Sequence, residues 1–253
     1  MTVANEKIIG VRVDRTSYQA AVDLVLNWAQ KHESRYVCAA NVHMVMEAYD
    51  SPKFHEVLSR ADLVTPDGMP LVWMLRQLGA TDQTRVYGPD LLLWVVRVAA
   101  QKKIPVGFYG GTQEVLNTMV NGLKIRHPDI DVSYEYSPPF RPLSPEEKQK
   151  VIKEINASGV NILFVGLGCP RQEYWMAENR EYIKSVMIGV GAAIDFHAGR
   201  KAQAPSWMQG FGLEWLFRLL VEPRRLWMRY LYHNPRFLVL AFLQLTGLYK
   251  VGA

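Results

Sequence analysis

"PVGFYGGTQEVLNTMVNGLKIRH" (residues 105–127) passes from an apolar run through two glycines into an amphipathic stretch. The first part reads as a buried strand, and the last part shows the apolar spacing of a helix. The same grammar recurs along the chain. "RYVCAA" (35–40), "ADLVT" (61–65), "VSYEYS" (132–137), "NILFVGLG" (161–168) and "SVMIGVGAA" (185–193) are further strand candidates. Helix patterns occupy residues 16–32, 88–103, 112–127 and 144–159, with Thr16 and Ser144 as N-caps and Pro145 in a first turn. Strands alternating with helices of this length imply an α/β fold: a Rossmann-like, mostly parallel sheet with helices on both faces.

In such sheets ligands gather at the carboxyl ends of the strands. The residues expected there are Asn41, Asp67, Gly110, Gly111 and Thr112, Gly166 to Gly168, and Gly191 to Asp195. Glycines let a ligand approach the backbone, and helix-start amides attract phosphate. A lone glycine turn is as often only a tight turn, but two in one sheet favour a nucleotide or sugar-nucleotide pocket. "GLGCPR" (166–171) carries Arg171 where a dinucleotide fingerprint has its third glycine. A nicotinamide oxidoreductase also needs an acid roughly 20 residues further on; Asp195 comes later.

Asp67 stands between an apolar run and a helix opening Met69-Pro70. That is a natural post for a helix cap. Asn41 at the same edge and Arg85 after a polar loop offer a second reading, since a carboxylate, an amide and a cation together make an acid–base site. "HPDIDV" (127–132) contains the Asp-x-Asp spacing of metal-dependent sugar transferases, but it falls at the opposite edge, where turn acids are ordinary. The six histidines show no paired ligand spacing, so no metal site is expected.

The 253 residues, 49% hydrophobic, suffice for a full core. Cys38 and Cys169 are too few for a disulfide framework and read as free thiols in a reducing compartment. The N-terminus shows no export signal. The net charge of +5 is concentrated at the end: residues 196–253 hold eight Lys/Arg against Glu214 and Glu222, with eleven of the 28 aromatics. Two domains are therefore expected, a core over residues 1–195 and a basic, aromatic helical appendage over 196–253. The appendage pattern breaks near Pro223 and Pro235. It reads either as a terminal helix docked on the core or as a segment lying on a membrane surface. "FLVLAFLQLTGLY" (237–249) is too short to span a bilayer, which takes ~20 apolar residues. No nucleic-acid-binding module is present.

With these motifs in hand, the chain resembles the WecG/TagA/CpsF glycosyltransferases, family 26 of the sugar transferases, from about Asn41 to Asn234. The segments that carry the likeness include "ANVHMVMEA", "ADLVTPDGMPLVW", "RVYGPDLL", "FYGGTQEVL", "VGLGCPRQEYWM" and "GVGAAIDFHAGRKAQAPSWMQGFGLEWLFRLLVEPRRLWMRYL". The resemblance implies metal-independent, inverting transfer from a UDP-sugar to a polyprenyl-diphosphate-linked saccharide. It implies no cofactor, and a monomer or small homo-oligomer peripheral to the inner face of the plasma membrane. Asp67 matches the candidate base, Asn41 the asparagine near the reacting centre, and Arg85 and Gln172 polar residues of that pocket. Arg218, Arg225 and Arg229 match tail arginines that close over the leaving group. The glycine turns and Asp195 then serve the nucleotide. Ala39 departs from members that carry threonine there. The rival from another class is a non-catalytic, nucleotide-binding protein of the membrane surface. On this reading the tail is separable, and its deletion spares the fold.

Overall fold

Each apolar run named above forms a strand near its expected place in a computed structural model of the chain, which describes residues 3–248. β1 (Asn5–Ile8) and β2 (Val11–Asp14) form an antiparallel hairpin. Then come α1 (Tyr18–Gln30), β3 (Arg35–Ala40), α2 (Val42–Asp50), α3 (Pro52–Ser59), β4 (Leu63–Pro66), α4 (Met69–Gln77) and α5 (Gly88–Gln101). β5 (Val106–Gly110), α6 (Gln113–Arg126), β6 (Val132–Tyr136), α7 (Pro145–Ala157), β7 (Ile162–Gly166), α8 (Arg171–Asn179), β8 (Val186–Gly189) and α9 (Ala193–His197) follow. The tail forms α10 (Ser206–Gly210), α11 (Glu214–Val221) and α12 (Pro223–Leu245). Six strands are hydrogen-bonded in the order β4-β3-β8-β7-β5-β6, apart from the hairpin. The β3/β8, β8/β7, β7/β5 and β5/β6 pairs are all parallel. This is the expected α/β, Rossmann-like sheet.

The chain divides into two units. Unit 2 comprises residues 18–38 and 88–202. Its strands β5 and β8 are buried throughout, as a parallel sheet covered on both faces requires. Phe108 and Phe164 stack at 5.3 Å on neighbouring strands. α1 buries Ala21, Val22, Val25, Leu26 and Ala29 along one stripe. α7 begins as its sequence demands: Ser144 and Glu147 form a capping box, with Pro145 in the first turn.

Unit 1 comprises residues 3–17, 39–87 and 203–248. This division differs from the boundary expected between residues 195 and 196. The physical reason is α12, which packs on α2 and buries Leu226, His233, Phe237 and Ala241. Its far end is tied to the hairpin: Ile9 N donates to Gln244 Oε1 (2.8 Å), and Gln244 Nε2 donates to Lys7 O (2.6 Å). The tail is part of unit 1, so its deletion removes core rather than sparing the fold. Nor does Pro235 break it. The helix runs through Pro235, and the lost backbone hydrogen bond is offset by the side chains docked on either side. Lys250, counted among the tail's cations, lies outside the described residues.

The two glycine turns of unit 2 owe part of their composition to packing. A Cβ on Gly110, where φ is +132°, would lie 2.5 Å from Gly166 O. Gly168, at φ +78°, has no atom within 4 Å of such a Cβ. Urea unfolding is therefore expected to show a loss of about 3 kcal/mol or more for Gly110→Ala, from overpacking against backbone. Gly168→Ala should lose only about 1–2 kcal/mol, the cost of a left-handed residue. Equal losses would refute the packing explanation.

Candidate functional site

The turn after β4 is built to bring Asp67 beside Asn41. Asp67 N and Gly68 N both donate to Ala40 O, at 2.8 and 3.1 Å. A Cβ on Gly68 would lie 3.2 Å from Asn41 Cα, so glycine permits that approach. The N-cap position of α4 is held by Gly68, one residue after Asp67. Asn41 is itself a cap, its Oδ1 accepting from Met44 N (3.2 Å) at the start of α2.

Asn41, Asp67 and Arg85 line a pocket of about 340 Å³ in unit 1. Arg218 and Arg229 of the tail line it too, whereas Arg225 pairs with Glu222 and is not among its walls. Trp73, Phe211, Trp215 and Phe237 make an apolar side. Two tail residues that sequence reasoning missed, Gln209 and Glu214, hold the pocket together. Arg85 donates from Nε to Asp67 O, from Nη1 to Gln209 Oε1 (3.2 Å) and from Nη2 to Glu214 Oε2 (2.5 Å). Its guanidinium lies over the Tyr87 ring at 3.9 Å, and Tyr87 OH donates to Glu214 Oε1 (3.1 Å). The one available signal for Glu214 was its rarity, an acid in a basic tail.

The electrostatics follow from this geometry. Burial works against the Arg85 charge, but the carboxylates of Asp67 and Glu214 outweigh it and raise the group above its ordinary value. Burial, then Glu214 and Asp67, push the Tyr87 hydroxyl far above the usual phenol range, so it stays a donor. Burial likewise raises Tyr230, against the pull of Arg218 and Arg229. Three arginines face two carboxylates along the walls, a surplus suited to an anion.

The remaining expected residues lie in unit 2. Gln172 is buried there and is not a wall of the pocket. Its Oε1 accepts from Gly168 N (3.1 Å) and Gly191 N (3.0 Å), and its Nε2 donates to Glu173 Oε1 (2.7 Å). It thus clamps two of the turns expected to meet a nucleotide. Thr112 caps α6 through Val115 N (3.4 Å). Gly111 and Gly166 both abut Ile194. Asp195, on α9, faces Lys201 at 3.6 Å. Asp129 and Asp131 lie between α6 and β6, as the sequence implied. One cluster was invisible to histidine spacing: His43, Glu47 and His233 meet in unit 1.

No helix among the described residues is long and apolar enough to cross a membrane. α12 nevertheless exposes Trp227, Met228, Leu231, Leu238, Val239 and Phe242, which recur at helical spacing. The helix is therefore apolar on a docked face and again on an exposed one.

The sequence matches the glycosyl transferase WecG/TagA/CpsF family over residues 6–251. It is 32% identical over 209 residues to the N-acetylglucosaminyldiphosphoundecaprenol N-acetyl-beta-D-mannosaminyltransferase of Bacillus spizizenii, covering 82% of this chain and 79% of the relative. It is 31% identical over 196 residues to the protein of the same name from Bacillus subtilis, covering 77% and 74%.

The Arg85–Glu214 contact sets a testable energy. Both side chains are about 15% exposed or less, so the pair is only partly screened. In a double-mutant cycle with Arg85→Met and Glu214→Gln, urea unfolding should give a coupling of about 2 kcal/mol. Additive losses would mean that this pair adds nothing to the tail's other contacts.

Proposed function

This chain belongs to the WecG/TagA/CpsF glycosyltransferase family, and from that premise we propose that it moves an N-acetylmannosamine-type sugar or a hexose from a UDP-sugar to a polyprenyl-diphosphate-linked saccharide. The product serves bacterial surface polysaccharide synthesis, and the anomeric centre inverts. The relatives' names support the acceptor class. The observation that carries the reading is the unit 1 pocket, where a carboxylate stands among arginines and an apolar wall.

An inverting transfer needs a base for the acceptor hydroxyl and positive charge for the departing diphosphate. The pocket walls include two carboxylates, Asp67 and Glu214. Both oxygens of Glu214 are bonded to Arg85 and Tyr87. Asp67, which matches the family's candidate base, is assigned the base role, with Asn41 beside it to orient the acceptor. Arg85, its fork committed within the protein, positions the turn that carries Asp67 and holds the tail. Arg218 and Arg229 are assigned to the diphosphate, in place of a metal at that group. Contact of the UDP with Gly110, Gly111, Thr112, Gly166, Gly168, Gly191 and Asp195 is proposed on the family likeness. Gln172 supports that role by fixing two of these turns.

The exposed stripe of α12, beside Arg224 and Arg225, supports a membrane-surface placement facing a lipid-borne acceptor. Trp and Leu enter the headgroup boundary while arginines meet anionic lipid.

Asp67→Asn should lower the transfer rate by about 10²–10⁴-fold, the contribution of a positioned base, and leave UDP binding unchanged in calorimetry. Full turnover in that variant would dispose of the assignment. UDP binding by the wild-type chain with no turnover across a panel of UDP-sugars and prenyl-diphosphate acceptors would favour the non-catalytic alternative. The double variant Trp227→Glu, Leu231→Glu should lose cosedimentation with vesicles containing anionic phospholipid. Undiminished binding would place the membrane face elsewhere.

A further inference from the structure

His43 and Glu47 lie one helical turn apart on the same face of α2. α12 brings His233 against them. His43 Nδ1 is 3.6 Å from Glu47 Oε1, and His233 Nε2 is 3.4 Å from the same oxygen. The ligating atoms of all three residues fall within 4.8 Å of one another. The two imidazoles meet edge to face, with centroids 5.0 Å apart. A tetrahedral zinc ion with bonds of about 2.0–2.1 Å holds its ligand atoms about 3.3 Å apart. The Glu47 contacts already have nearly that separation.

His233 is 7% exposed and its Nδ1 has no hydrogen-bond partner. Among the described residues its polar contact is the one Nε2 makes to Glu47, so Nε2 is the atom that faces the cluster. Burial holds the imidazole below its usual range, against the pull of Glu47 and Asp50. Of the neighbouring cations, Arg236 is offset by a two-pronged pair with Asp50 at 2.5 and 2.8 Å. Arg229 also acts to lower the His233 value.

We propose that His43, Glu47 and His233 form a divalent-cation site, suited to zinc, that clasps α12 to α2. Two imidazoles and one carboxylate are a donor set zinc accepts, and three protein ligands leave a position for water. The clasp joins α2 to α12 at the edge of the pocket, of which His43 is itself a wall, one turn beyond Arg229 and Tyr230 on α12. This inference stands apart from the transferase reading, because it is measured by binding and not by turnover.

The test is calorimetric titration of the chelator-stripped full chain with Zn²⁺, followed by Co²⁺ substitution. The site predicts one equivalent per chain and a Tm that rises with Zn²⁺ concentration. The Co²⁺ form should show the intense visible bands of a four-coordinate nitrogen and oxygen site, without thiolate charge transfer from Cys38 or Cys169. His233→Gln and Glu47→Gln, each checked for folding by circular dichroism, should weaken binding by more than the ~10–100-fold that outer-shell changes cost. Two variants keep the test decisive if one fails to fold. Absence of a stoichiometric Zn²⁺ equivalent in the wild-type chain would overturn the proposal. So would an unchanged equivalent and spectrum in the folded variants, which would assign the metal to other residues.

Discussion

The Arg85 guanidinium is the point on which unit 1 turns. One of its nitrogens donates to the backbone of the Asp67 turn, and the others reach Gln209 and Glu214 in the tail. A buried arginine is tolerable only if its charge and donors are met. Here that requirement fixes two things together: the turn that aims Asp67, and the helices that form the opposite wall. Without Glu214 the tail loses one of its polar anchors, and Arg85 loses its carboxylate partner in the tail.

α12 meets a second constraint. One stripe must dock, and it does so through Leu226, His233, Phe237 and Ala241. The other stripe of large apolar residues faces outward. Exposed apolar surface of that extent marks an interaction face. The sequence offered docking and a lipid face as alternatives, and one helix has room for both. It belongs to the fold, and it carries the surface assigned here to lipid. The position of Arg229 on this helix, as a pocket wall, links the two roles.

Much of this was legible in the sequence because period and punctuation are local. The strands at residues 35–40 and 106–110 and the capping box at Ser144 need only their neighbours to be read. Asp67 and Asn41 were legible as a pair because a parallel sheet collects its strand ends along one edge. What was not legible depends on contacts far apart in the chain. Nothing local shows that Glu214 answers Arg85, or that His233 reaches Glu47. The compact units divide the chain elsewhere than after residue 195 for the same reason: charge and aromatic content change there, but the tail's buried side chains group with residues 39–87. Gly110 shows the converse limit. Its glycine was read as room for a ligand, and part of the cause is the carbonyl of Gly166.

The proposed transfer turns on Asp67 taking the acceptor's proton. The most direct measurement is a crystal structure of the full chain with UDP and a short-chain prenyl-diphosphate acceptor. It should show an Asp67 carboxylate oxygen at hydrogen-bond distance, about 2.6–3.2 Å, from the attacking hydroxyl, with Arg218 or Arg229 on the diphosphate. A hydroxyl held by another residue, with Asp67 turned away from the acceptor, would contradict it.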